Sequence, residues 1–275
     1  MTVSASASRR HAFPGAVLIG AQGRLISYHV PLRFFVAAAV FQVVAWLLLA
    51  GAGFVIAWVF LWFVQGYITA APHLPPGAQN PGVTALVATP TLLWAALILV
   101  VLTPLLAMRL LAEERHNGTL SLLRAAPVSI TAIVIGKFLA LLAFLWLVIA
   151  ITAAMPLSLA LGTTLDFGRL GAGVLALAVL AAAFGAISLF ISSLTRQPLL
   201  AAFTSFGAIL ILWIINLAAT TPGATSALGW LAFQPHLSRL LRGVVDSADL
   251  AYFVILTLLF LGLSIWRLDA ERLSG

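Results

Sequence analysis

Long apolar blocks alternate with short polar segments along this chain. Each block holds few charges and runs for about 20 residues or more, the helical length that crosses a bilayer core of roughly 30 Å. Because hydrocarbon offers no partner to backbone polar groups, the blocks must be helical. We place six spans at Phe34–Phe63, Leu86–Leu111, Ile133–Leu157, Leu170–Leu194, Leu199–Ala219 and Leu250–Arg267. The pattern therefore predicts an all-α polytopic membrane protein.

The first span is longer than one perpendicular crossing requires. A long helix can tilt, or bend at Gly51–Gly53, and extend beyond the membrane surface. A hairpin of two short helices is the alternative, but it would leave each arm near about 15 residues, which is short for a crossing. We therefore predict a single helix here and leave its tilt or bend open.

Composition restricts what this chain can do by itself. Hydrophobic residues make up 63% of the 275 residues and charged residues only 8%. The polar segments between the spans are too short to bury a core of their own. We therefore predict a single transmembrane domain over 1–275, with an N-terminal segment at 1–33, the six-span bundle at 34–268 and a tail at 269–275. Chemistry that needs a soluble domain must come from a partner chain.

Positive charge is distributed unevenly between the two sides of the predicted bundle. The net charge of +7 would suggest nucleic acid in a soluble protein, but membrane proteins concentrate Lys and Arg in cytoplasmic loops. With the N-terminus inside, eleven of the 14 Lys and Arg residues lie on the cytoplasmic side, and only Arg169, Arg239 and Arg242 lie outside. We therefore predict that both termini are cytoplasmic, that the lipid bilayer is a partner and that nucleic acid is not.

Several classes of active site have no counterpart in the sequence. No Gly-Lys-Ser/Thr phosphate-binding loop occurs, so this chain should not bind nucleotide in that way. The predicted spans hold no Asp or Glu at mid-depth, which disfavours a proton- or sodium-coupled carrier. The five His residues are scattered, none has a second ligand three or four residues further along, and no Cys is present. We therefore expect no catalytic, cofactor or metal site in this chain.

The most informative polar segment lies between the second and third predicted spans. Charged residues Glu113–Arg115 end one helix, and Gly118 supplies a turn. Thr119 is a candidate N-cap for a short helix, which Pro127 stops, and Ser129 is a candidate N-cap for the third span. A short helix on the membrane surface between two spans suits docking into a groove on a soluble partner. An ordinary amphipathic loop is equally compatible with these residues.

This loop carries a resemblance to a known family. The run E-R-x-x-G-T-L-x-L-L-x-x-x-P-V-S-x-x-x-I-V-x-G-K at Glu114–Lys137 resembles the signature of ABC-2 type transporter permeases. Residues Leu25–Val44 resemble the stretch that leads into the family's first span, and Leu189–Arg196 (LFISSLTR) resemble the end of its fourth. Ser238–Phe253 resemble the segment before the last span of the gliding-motility branch (GldF-type), which is related to the nitrous-oxide reductase maturation permeases (NosY-type). Arg24 departs from the pattern, because the family has an acidic residue there.

The resemblance implies the permease subunit of an ABC transporter in the bacterial inner membrane, either an exporter or a mechanotransmitting system. Its partners would be two copies of a cytoplasmic ABC ATPase, which binds ATP and Mg²⁺, a second copy of itself or a similar permease, and an auxiliary periplasmic or membrane protein. The resemblance also implies an amphipathic elbow helix at Val17–Pro31, a coupling helix at Glu113–Pro127 and short re-entrant outer helices at Thr220–Asp249. A membrane scaffold or channel without an ATPase stays the alternative, and the substrate stays open.

The candidate site residues fall into three groups. Residues of the loop are implied to couple the permease to the ATPase: Glu113, Glu114, Arg115, Gly118, Thr119, Leu122, Leu123 and Pro127. Residues of the elbow and of the inner span ends are candidate anchors of that interface: Arg24, Tyr28, Gly136, Lys137 and Arg196. Polar residues at membrane depth are candidates for a translocation path, although hydrogen bonding between helices is the commoner role of such groups: Gln42, Ser188, Ser192, Ser205 and Asn216.

Overall fold

Helices make up most of the chain that the structure describes. The structure is a computed structural model, and it describes residues 17–19, 25–27, 32–70, 82–116, 129–195, 197–219 and 230–273. Side chains are described within 42–70, 82–112, 129–195, 197–215 and 230–271. The chain divides into two compact units, Met1–Leu47 and Leu48–Gly275. The second unit contains the helical bundle.

The N-terminal unit contains two short strands. Strand β1 (Val17–Ile19) pairs antiparallel with β2 (Leu25–Ser27). The elbow helix predicted at Val17–Pro31 is therefore wrong for the described residues of that segment. The strands are rich in β-branched and aliphatic side chains, which favour extended backbone. Gly20 and Gly23 stand between them in sequence, and each would cost a helix about 1 kcal/mol relative to alanine.

Within the described residues, six helices are long and apolar enough to cross a membrane. They are α1 (Leu32–Ala70), α2 (Thr89–His116), α3 (Ile130–Ser158), α4 (Phe167–Leu194), α5 (Pro198–Ala219) and α7 (Ser247–Leu273). A π-helical turn at Thr84–Ala88 precedes α2, and a 3₁₀ turn at Leu159–Leu161 follows α3. The prediction of six apolar spans is confirmed.

Local sequence signals explain the course of α1 and the start of α3. Helix α1 continues through Gly51–Gly53 without interruption, so the hairpin alternative is wrong. Ser129 caps α3 as predicted, since its Oγ accepts a hydrogen bond from the Ala132 amide at 3.2 Å. The cap starts the helix three residues before the predicted Ile133, because the apolar pattern alone does not mark the first turn.

The segment between α5 and α7 contains a shorter helix, α6 (Phe233–Leu241). It lies within the range predicted to hold short outer helices. Helix α7 begins at Ser247 instead of the predicted Leu250, because the Asp246 carboxylate accepts a hydrogen bond from the Ala248 amide at 3.1 Å. As a result, Asp249 lies in the first turn of α7 and not in the preceding loop.

Helix α4 lies at the centre of the bundle. It packs against α2, α3, α5, α6 and α7, and it is the most buried of the six long helices. Its side chains Leu177 and Phe184 are fully buried. A Cβ atom on Gly173 would lie 2.5 Å from Leu92 Cδ1 of α2, so only glycine fits this contact without a shift. Small residues at such positions let two helices approach closely in a membrane.

Helices α2 and α4 run parallel over their whole length. The Asp166 amide, just before α4, donates a hydrogen bond to Thr84 Oγ1 at 3.0 Å. Further along the pair, Leu92 of α2 lies against Gly173 of α4. Near the end of α4, Ser192 contacts the last turns of α2. The two helices are therefore fastened by hydrogen bonds at both ends.

Large apolar side chains cover the outside of the bundle. Phe54 and Trp58 of α1 are both 69% exposed, and Phe203 of α5 and Trp266 of α7 are both 67% exposed. A soluble protein rarely exposes apolar surface of this extent. Contact with lipid tails explains it, in agreement with the length and hydropathy of the helices.

Candidate functional site

A serine of α4 holds the end of α2 that leads into the predicted coupling loop. Ser192 Oγ accepts hydrogen bonds from the Leu111 amide at 3.3 Å and from the Ala112 amide at 3.1 Å. The Ser192 hydroxyl donates to the Met108 carbonyl at 3.3 Å. Ser192, Leu111 and Ala112 are fully buried, so water does not compete for these bonds. Ser192, predicted as a polar residue at depth, therefore joins two helices.

A lysine of α3 contacts the same end of α2. Lys137 Nζ donates a hydrogen bond to the Leu110 carbonyl at 2.6 Å. A cation near the C-terminus of a helix is also favoured by the helix macrodipole. The final turns of α2 are thus bonded to α4 through Ser192 and to α3 through Lys137.

The predicted coupling loop begins and ends beside these contacts. The backbone of Glu113, Glu114 and Arg115 lies in the last turn of α2, which ends at His116, but their side chains are outside the described set. Helix α3 then starts at Ile130. The other predicted coupling residues lie outside the described residues: Gly118, Thr119, Leu122, Leu123 and Pro127.

The other candidate residues that the structure describes lie on four different helices. Gly136 lies on α3, where an added Cβ would meet nothing within 4 Å, and Gln42 is exposed on α1. Ser188 of α4 and Ser205 of α5 are buried, and Ser188 Oγ has no hydrogen-bond partner among the described residues. The other candidates lie outside the part of the chain that the structure describes: Arg24, Tyr28, Arg196 and the side chain of Asn216.

A second polar cluster joins α6 to α7. Asp249 Oδ1 lies 2.6 Å from His236 Nδ1, and Asp249 Oδ2 accepts a hydrogen bond from Arg239 Nε at 2.9 Å. Arg239 Nη2 also bonds to Asp249 Oδ1. The Asp249 side chain is fully buried and that of His236 nearly so, whereas the Arg239 side chain is 48% exposed. Asp249, His236 and Arg239 therefore form one compact polar cluster.

Aromatic rings enclose the histidine of this cluster. The Tyr252 ring stacks on His236 with centroids 4.5 Å apart and an interplanar angle of 15°. Trp230 meets both rings edge-on, and its carbonyl oxygen lies 3.0 Å from His236 Nε2. The Tyr252 hydroxyl donates to the Leu231 carbonyl at 2.8 Å. Each polar side-chain atom of His236 and Tyr252 thus has a hydrogen-bonding partner.

The turn at Gly243 brings these residues together. Gly243 has a φ of +90°, which favours glycine, and an added Cβ would lie 3.3 Å from Arg169 Cα. The Gly243 amide donates to the Leu240 carbonyl and the Val244 amide to the Arg239 carbonyl, which is the Schellman pattern of a helix end. The chain then turns directly into α7, so that the first turn of α7 faces α6.

Sequence reasoning missed this cluster. It tested the histidines for a second ligand three or four residues away, whereas the partner of His236 is Asp249, 13 residues further along. A usable signal was present, because His236 and Arg239 are spaced three residues apart and therefore lie on one face of a helix. The acidic partner across the glycine turn could then have been sought in the next helix.

The cluster is suited to fastening two helices together. The described partners of the Asp249 carboxylate all lie in α6. Hydrogen bonds with Asp249 raise the pKa of Arg239, so the guanidinium stays charged and balances the buried carboxylate. Burying a charge is costly unless it is paired and hydrogen-bonded, and here it is both.

Comparison of the sequence with models of known protein families identifies the family of this chain. The family model for ABC-2 family transporter proteins matches residues 57–273. The match takes in the predicted coupling loop, both polar clusters and every helix from α2 to α7. No curated protein matches the chain. Since the match covers most of the sequence, the chain belongs to the ABC-2 family of transporter proteins.

Proposed function

We propose that the chain is the permease subunit of an ABC transporter, driven by a separate cytoplasmic ATPase. The observation that carries the proposal is the family match over residues 57–273. The six apolar helices agree with it, because a permease subunit is built mainly from helices that cross the membrane. Two permease chains and two ATPase subunits would form the working complex.

The loop between α2 and α3 is the proposed contact with the ATPase. Helix α2 ends at His116 before the loop, and α3 begins at Ile130 after it. The charged residues Glu113–Arg115 lie at the end of α2, next to the loop. Hydrogen bonds with Ser192 and Lys137 fix the end of α2, so a force applied to the loop would reach the bundle. A short helix between these ends would dock into a groove of the ATPase.

The proposal also gives the orientation of the chain in the membrane and its branch of the family. The Lys and Arg distribution supports cytoplasmic termini in a bacterial inner membrane, with α6 and the Gly243 turn on the outer side. The resemblance at Ser238–Phe253 supports the gliding-motility branch, in which mechanical work or export is performed. No cargo is assigned.

Co-purification with a cytoplasmic ABC ATPase from the same cells tests the proposal. The permease alone should hydrolyse no ATP, and the complex should. Glu114→Ala should weaken ATPase binding, because loss of one partner from a desolvated charge contact costs about 2–5 kcal/mol. Gly118→Val should misplace the loop helix, because a β-branched residue restricts the backbone.

Two variants serve as matched controls. Asp269→Ala removes an exposed carboxylate from α7, and Gly262→Val adds a side chain where an added Cβ meets nothing within 4 Å. Both should bind the ATPase as the wild type does, within about 0.5 kcal/mol. Equal binding by all four variants would refute the coupling assignment. If the wild type recovers no ATPase, the chain is a membrane scaffold or channel instead.

A further inference from the structure

We infer that Ser192 is a positioning residue that ties the loop-bearing end of α2 to α4, so that movement of the loop is passed to the centre of the bundle. The inference rests on the proposed function and extends it to a named residue. It also gives a role to the stretch LFISSLTR at Leu189–Arg196, which docking of the loop by itself does not explain.

The Ser192 hydroxyl lies beside one backbone hydrogen bond of the neighbouring helix α2. In an α-helix the amide of residue 112 bonds to the carbonyl of residue 108. Ser192 Oγ lies 3.1 Å from the Ala112 amide nitrogen and 3.3 Å from the Met108 carbonyl oxygen, so it contacts both groups of that bond. It also accepts from the Leu111 amide at 3.3 Å. Three backbone groups of α2 thus form hydrogen bonds with one side chain of α4.

The end of α2 needs such support because the helix is weakened above it. Pro104 lies inside α2 and has no amide hydrogen, so the Val100 carbonyl loses its ladder partner. The turns between Pro104 and the loop are therefore joined less firmly to the rest of α2. Contacts with other helices must therefore fix the direction of these turns. Ser192 of α4 and Lys137 of α3 each make such a contact through hydrogen bonds.

Helix α4 is suited to receive the movement. It packs against every other helix from α2 to α7, including α6. At the opposite end of the pair, the Asp166 amide bonds to Thr84 Oγ1 at 3.0 Å. Between these fastenings Gly173 admits Leu92 at close range. With both ends fastened and the middle closely packed, α2 and α4 are expected to move as one body.

The neighbouring serine provides a matched control. Ser193 is as fully buried as Ser192, but its hydroxyl donates only within its own helix, to the Phe190 carbonyl at 2.6 Å. Ser192→Ala and Ser193→Ala therefore remove the same atoms from adjacent buried positions. Within the part of the chain that the structure describes, only Ser192→Ala removes hydrogen bonds between helices. Ser192→Thr keeps the hydroxyl and serves as the rescue variant.

Hydrogen exchange measured by mass spectrometry on the purified permease is the first experiment. Ser192→Ala should raise exchange at amides 108–112 on the order of tenfold, because buried hydrogen bonds to α2 are lost. Ser193→Ala should leave that segment at the wild-type rate, and Ser192→Thr should restore protection. The measurement needs no ATPase and no cargo. Equal exchange in the Ser192→Ala and Ser193→Ala variants would overturn the positioning role.

The second experiment compares exchange in the permease–ATPase complex with and without a non-hydrolysable ATP analogue. In the wild type and in Ser193→Ala, the analogue should change exchange in both α2 and α4. In Ser192→Ala, the ATPase should still bind, but the change should stop at α2. A change that persists in α4 of Ser192→Ala would overturn the transmission step. Failure of the wild type to bind the ATPase would refute the proposed function and the transmission step, while the first experiment still decides the positioning role.

Discussion

The buried carboxylate of Asp249 gives the most precise prediction for the stability of the fold. Asp249→Asn keeps the shape of the side chain and removes its charge. The carboxylate bonds to Arg239 and His236 of α6 and is fully buried. The change therefore perturbs the contact between α6 and α7 without opening a cavity.

The structure sets the size of the expected loss. Removing one partner of a buried ion pair costs about 3–5 kcal/mol, because the other charge stays buried and uncompensated. Here the Arg239 side chain is 48% exposed and can turn toward solvent, and the new amide oxygen can still accept one hydrogen bond. Both effects reduce the loss, so we expect about 3 kcal/mol, near the lower end of that range.

The assay is the free energy of unfolding in mixed micelles, titrated with a denaturing detergent. Asp246→Asn is the matched control, because Asp246 is exposed and its carboxylate caps α7 through the Ala248 amide. Asp and Asn are nearly equivalent as N-caps, so this change should cost less than about 0.5 kcal/mol. The double variant Asp249→Asn with Arg239→Gln should lose less than the sum of the single changes, because the two residues share one contact.

One result would refute this reasoning. If the Asp249→Asn and Asp246→Asn variants have the same free energy of unfolding, the charge in the buried cluster contributes no more to stability than the charge of the exposed cap. Strict additivity of the Asp249 and Arg239 changes would lead to the same conclusion. The cluster would then be a consequence of the packing of α6 on α7 and not one of its causes.

Two further predictions concern the helix contact and the topology. Gly173→Ala should lower the free energy of unfolding by about 1–3 kcal/mol relative to Gly171→Ala, because its methyl group would overlap Leu92, whereas an added Cβ at Gly171 meets nothing within 4 Å; equal values for both variants would contradict the close contact. Because the chain has no native Cys, Thr164→Cys should react with an impermeant thiol reagent from outside intact cells, and Asn117→Cys should not. Labelling of position 117 from outside would reverse the proposed orientation.

The spans could be predicted because their signal is local. Length and hydropathy located all six long helices, and the N-cap at Ser129 was predicted correctly from residue type. Helix starts were displaced by up to three residues, as at Leu250, since a cap extends a helix beyond its apolar run. The elbow helix predicted at Val17–Pro31 followed the family resemblance, and it was wrong for the described residues 17–19 and 25–27, which form a pair of strands.

The site residues depend on contacts that no local pattern reveals. Ser192 was predicted as a polar residue at depth, but its partners lie 80 to 84 residues earlier in α2. Finding them requires the register of two parallel helices, which one sequence does not contain. Asp249 and His236 are closer in sequence, yet their contact depends on the turn at Gly243.

The two kinds of polar contact should therefore affect the protein differently. Hydrogen bonds between helices in a membrane contribute about 0.6 kcal/mol on average, so the Ser192 bonds and the bond from Asp166 to Thr84 add little to stability. Their effect is geometric. Between the bonds, Leu92 of α2 packs closely against Gly173 of α4. A bond near each end fixes the register, so removing one should change how movement passes through the bundle before it changes whether the bundle folds. The Asp249 cluster, which holds a buried charge, should show the reverse order.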